Sequence, residues 1–137
     1  MTTRLNFMII DDDPDDIDFF QYAVSNIDPS HTCMSASDGE DALHQLQKET
    51  KKPPDFIFLD LNMPRMDGMT CLRELKKKEK LKDIPVIIYT TSSHEREKEE
   101  ALALGAAHFL TKAHSIKMLQ ESIRDAVATV GSQIEKG

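Results

Sequence analysis

Short apolar runs separated by amphipathic segments constrain the fold of this chain more than any other feature. Leu5 to Ile10, Thr32 to Ser37, Phe56 to Leu59, Val86 to Tyr89 and His108 to Thr111 read as strands. After the first, Pro14 fits an opening helical turn, with Ile17, Phe20, Gln21 and Val24 at three- and four-residue spacing as far as about Asn26. Asp15 and Asp16 lie favourably near the positive end of that helix. Ala42, Leu43 and Leu46 mark a second helix, and Pro53-Pro54 delivers the chain to the third strand. Asp67-Gly68 opens a third helix bearing Met69, Leu72 and Leu75, whose dipole the lysines from Lys76 to Lys82 offset. Pro85 leads into the fourth strand, and a charged helix from Glu95 to Leu104 stops at Gly105. Ile116, Leu119, Ile123, Ala126, Val127 and Val130 give the last helix its apolar stripe. Strands alternating with helices in this way imply a parallel sheet with helices on both faces and right-handed crossovers.

A chain of 137 residues is the size of one domain with one core. We expect a domain over residues 1–130 and a frayed tail over residues 131–137. The net charge of -7 opposes binding to nucleic acid or anionic membranes. Cys33 and Cys71 lie far apart in apolar segments without metal spacing, as reduced packing thiols would. The five histidines have neither metal spacing nor a partnered nucleophile, which leaves them surface or packing roles. The start of the chain lacks a signal peptide's apolar stretch, and no apolar run approaches about 18 residues. The expected location is the cytoplasm.

An open α/β sheet gathers its ligands at the carboxyl ends of its strands. There this sequence has Asp11 and Asp12 after the first strand, Asp60 after the third, Thr90 after the fourth and Thr111-Lys112 after the fifth. Neighbouring carboxylates repel by roughly 4 kcal/mol at 4 Å in an effective dielectric near 20, so the group needs a cation. Oxygen ligands with room for water and a phosphoryl oxygen suit Mg²⁺. Three carboxylates against Mg²⁺ and one lysine come to neutrality. Asp60 could then attack phosphorus as a carboxylate nucleophile, giving an acyl phosphate, with Lys112 and the Thr90 hydroxyl stabilising the added oxygens.

Four segments carry a resemblance: Ile9-Ile10-Asp11-Asp12-Asp13, Phe58-Leu59-Asp60 through Met66-Asp67-Gly68, Pro85 through Thr90-Thr91, and Gly105 through Thr111-Lys112. Together they resemble the response regulator receiver domains, similar to the stand-alone chemotaxis type, over nearly the whole chain. The resemblance implies a flavodoxin-like, doubly wound parallel sheet of order 2-1-3-4-5. It implies that Asp60 accepts a phosphoryl group from a phosphohistidine on a sensor histidine kinase or histidine phosphotransfer protein. By the same resemblance Asp12 and Asp60 bind Mg²⁺ directly, Asn62 adds its backbone carbonyl, and Asp11 acts largely through water. Thr90 would be the moving hydroxyl, Phe109 the aromatic that follows it, and Lys112 the phosphate partner. Phe109 fits a core phenylalanine equally well. The fourth helix, fifth strand and fifth helix would form the output face for a downstream protein, in a monomer or weak dimer that is no enzyme in its own right.

Two departures stand out. Ala113 follows Lys112 where the family usually has proline, and a cis bond there would cost about 2.5 to 4 kcal/mol, so a trans bond or a strained loop is expected. Asp13, Asp15, Asp16 and Asp18 add charge beside the site, for which helix-start and surface roles suffice. An alternative function is an aspartate-nucleophile phosphohydrolase using Asp11 and Asp13, although it leaves Asp60 unexplained and little chain for a substrate cap. A calcium loop through Asp11, Asp13 and Asp15 fails, because Asp16 stands where glycine and Tyr22 where the final glutamate is needed. A small flavodoxin-like binding module fails too, since Asp11 to Asp16 would repel a phosphate without metal.

Overall fold

In the computed structural model, which describes residues 4–48 and 52–136, five strands and five helices alternate along the chain. The strands are β1 (Asn6–Ile10), β2 (Thr32–Ala36), β3 (Phe56–Leu59), β4 (Val86–Thr90) and β5 (His108–Thr111). The helices are α1 (Pro14–Ile27), α2 (Gly39–Gln47), α3 (Gly68–Lys77), α4 (Glu95–Ala103) and α5 (Ile116–Lys136). All strand pairs are parallel, in the order β2-β1-β3-β4-β5.

Side chains in a strand alternate between faces, and that alternation divides the core in two. Met8, Ile10, Ile57, Leu59, Val86 and Ile88 turn toward α2, α3 and α4, where they meet Ala42, Leu43, Leu72, Leu75 and Ala101. Phe7, Ile9, Phe56, Phe58, Ile87 and Tyr89 turn the other way, against Phe20 and Val24 of α1 and Leu119, Ile123 and Ala126 of α5. The middle strands β1, β3 and β4 are almost wholly buried, which is why their sequences read as continuous apolar runs.

Helix starts follow local chemistry. The side chains of Asp13, Asp38 and Asp67 cap α1, α2 and α3 by accepting bonds from the amides of Asp15, Asp41 and Thr70. His94 at the start of α4 makes no side-chain cap bond, and Ala101 is the buried residue of that helix. Lys76, in the last turn of α3, reaches past its own helix, donating to the carbonyls of Lys82 and Ile84 on the way into β4.

Helix α5 continues through Gly131 to Lys136. A single glycine costs a helix only about 1 kcal/mol, too little to stop one already anchored by several turns of packing. Gly137 lies outside the described residues. Among the described residues, no helix is long and apolar enough to cross a membrane.

Candidate functional site

Asp11 and Asp60 directly follow β1 and β3, which are adjacent in the sheet, and Asp60 N donates to the carbonyl of Ile10 at 3.0 Å. Strand parity aims both carboxylates at the side of the sheet that α1 and α5 cover. Lys112 follows β5 with the same parity. Its ammonium donates to Asp11 Oδ2 at 2.7 Å, to Asp16 Oδ2 at 2.7 Å and to Asp60 Oδ2 at 3.3 Å. The ammonium also stands 5.7 Å from the centre of the Tyr89 ring.

Burial intensifies these charges. Asp11 is fully buried, and the side chains of Asp60 and Lys112 are only 7% and 9% exposed. Burial pushes the Asp11 carboxyl above its ordinary value, against the opposing bond from Lys112. Burial alone would depress Lys112, but its bonds to Asp11 and Asp16 outweigh that and raise it, so the ammonium stays charged.

Asp12 completes an acidic group. One carboxylate oxygen each from Asp11, Asp12 and Asp60 lies within 4.8 Å of the others, with Asp12 exposed. An all-oxygen donor set of this charge fits a hard divalent cation, with one side open to water. Asn62 is exposed in the loop after β3, and its amide donates to Asp60 Oδ1 at 3.3 Å. A depression beside it is lined by Asp12, Asn62, Met63, Asp67 and, from α4, Glu97. Glu97, in the first turn of α4, accepts a bond from the Ser92 hydroxyl.

The loop carrying Asn62 is firmly held. Arg65 adopts φ 65°, a left-handed conformation uncommon outside glycine, and its guanidinium donates to the buried Asp38 at 2.9 Å. Gly68 packs directly on the acceptor's backbone, where an added Cβ would fall 2.3 Å from the Asp60 carbonyl oxygen and 2.6 Å from Leu61 Cα. Only glycine fits there.

Thr90 is fully buried at the end of β4, and its parity puts it on the α4 side. Its hydroxyl accepts from Ser92 N at 3.4 Å and its carbonyl from Lys112 N at 2.7 Å. Phe109 pairs with Ile88 across β4 and β5 and packs, half-buried, into that same core. Thr90 and Phe109 thus share one side of the sheet, whereas Asp60 and Lys112 share the other.

The structure departs from the sequence reading at Asp16, which bonds Lys112 rather than serving only the helix start or the surface. The clue was in the parity. Phe7, Ile9 and Asp11 face α1, so the inward side of its first turn meets whatever Asp11 meets. Asp13 is exposed and occupied with capping, which does not favour the phosphohydrolase alternative. Among the described residues there is no cis peptide, so the Lys112–Ala113 bond is trans as expected.

Comparison with known proteins agrees with this fold. The response regulator Rcp1 of Synechocystis sp. is 31% identical over 121 residues, spanning 85% of this chain and 82% of its own. The chain covers only 38% and 46% of the length of curated relatives from Porphyridium aerugineum and Guillardia theta. Among solved structures, the phosphorylated cyanobacterial phytochrome response regulator RcpA superimposes with a TM-score of 0.83 at 28% identity, covering 96% of each chain. The Mn²⁺-bound form of Rcp1 gives 0.77 at 29% identity, over 90% of this chain and 92% of that one. A family model described as the response regulator receiver domain matches residues 7–124, and the chain belongs to that family.

Proposed function

We propose that this receiver domain, spanning residues 1–130, is a phosphoryl-accepting switch of two-component signalling. Asp60 takes its phosphoryl group from a phosphohistidine on a sensor histidine kinase or histidine phosphotransfer protein. A carboxylate oxygen of Asp60 bonds to phosphorus while the phosphorus–nitrogen bond breaks, and the imidazole nitrogen keeps the electron pair. Asp11, Asp12, Asp60 and the Asn62 carbonyl would hold Mg²⁺, which supplies positive charge to the transferring group. Lys112 donates to one phosphoryl oxygen and the Thr90 hydroxyl to another.

Thr90 moving toward the phosphoryl group vacates space on the α4 side, into which Phe109 repacks. That changes the face built by α4, β5 and α5, and a downstream protein binds the altered form. The acidic surface disfavours nucleic acid and membranes as partners. The domain works in the cytoplasm as a monomer or weak dimer. Its only chemistry is gaining and losing its own phosphoryl group.

The observation that supports this reading best is the nearly buried Lys112 ammonium bridging Asp11 and Asp60. With Mg²⁺ and a small phosphodonor such as phosphoramidate, the protein should gain the mass of one phosphoryl group, and Asp60→Asn should gain none. An unmodified wild type, or equal labelling of Asp60→Asn, refutes the assignment.

A further inference from the structure

The Lys112 ammonium has three protons to donate, and three carboxylates accept them. The two short bonds go to Asp11 and Asp16, and the longest goes to Asp60. The proton that now points to Asp60 can pass to a phosphoryl oxygen there, but the ammonium can close on that oxygen only by lengthening one of its two 2.7 Å bonds. Asp11 is fully buried, so water cannot replace the ammonium there. Asp16 is different, because its side chain is 36% exposed and water can replace the ammonium there. Asp16 also lies on the first turn of α1, outside the acidic group that fits a cation.

We infer that Asp16 is a restraint on Lys112: it holds the ammonium in the unphosphorylated state and releases it to the phosphoryl group, so that its presence weakens the phosphorylated form. It is a positioning residue acting through Lys112. The inference rests on the proposed function and adds a named competitor for the phosphate partner. Its sign is the informative part, since a residue that merely oriented Lys112 for the phosphoryl group would strengthen binding.

The test is calorimetric titration of beryllofluoride, a phosphoryl mimic, in the presence of Mg²⁺. Asp16→Ala should bind roughly fivefold more tightly than wild type, the upper range for a partly exposed ion pair. Asp15→Ala removes the same charge from the neighbouring, exposed position and should leave the affinity near that of wild type. In a Lys112→Met background, Asp16→Ala should produce no gain. Unchanged or weaker binding by Asp16→Ala, an equal gain in Asp15→Ala, or a gain that persists without Lys112 overturns the inference while leaving the proposed function intact. Wild-type protein that binds no mimic refutes the proposed function, and the inference falls with it.

Discussion

Gly68 shows how much of a site can depend on an atom that is not there. The first turn of α3 lies against the peptide of Asp60, and both nearest neighbours of an added methyl group are backbone atoms that cannot swing aside. Gly68→Ala should therefore destabilise the fold by about 1 to 3 kcal/mol, as overpacking does, with a matching fall in the urea midpoint. A neutral result would mean that α3 can pivot away from the acceptor. The sequence marked Asp67-Gly68 as a helix start, but the clash that demands glycine comes from a segment seven to eight residues earlier, folded back. Asp11, Asp60, Thr90 and Lys112 were legible because each ends or directly follows a strand, and Asp12 comes one residue later. Asp16 was hidden because helix-start acids are common, and only packing shows which of them faces inward.

At the scale of elements, α3 and α4 are neighbours on one side of the sheet with unequal attachment. Helix α3 has the Asp67 side-chain cap and buries Cys71, Leu72 and Leu75, whereas α4 lacks a side-chain cap and buries Ala101. Its backbone amides should consequently exchange with solvent faster than those of α3 in native-state hydrogen exchange. Equal protection in the two helices would contradict this difference in anchoring. The apolar runs predicted the strands nearly to the residue, most plainly β1, β3 and β4, whose burial on both faces leaves few polar positions. Helix ends were less legible. Gly131 does not end α5, which runs on to Lys136.

For the whole molecule, the buried titratable groups set a limit in alkaline solution. Tyr89 is packed among Phe20 and Phe58, and burial pushes its phenol from 10.0 up to about 12, although the nearby Lys112 pulls the other way. Between those values the folded protein keeps a proton that the unfolded chain releases. Stability must then fall as pH rises through the window. Cys33 and Cys71, each pushed from 9.0 to about 12 by burial, act in the same direction from a lower starting point. Urea unfolding across this range should show the decline, and Tyr89→Phe should reduce its slope by about one bound proton. An unaltered slope would mean that Tyr89 ionises alike in both states.

The division of the core by strand parity has an evolutionary consequence. Under the proposed function, the writing of the signal belongs to the compartment of α1 and α5, while Thr90 and Phe109 read it in the compartment of α4. The Thr90 carbonyl and the Lys112 amide, joined at 2.7 Å, are the stitch between them. A lineage could therefore redraw what listens on one side of the sheet while inheriting the chemistry of the other side unchanged.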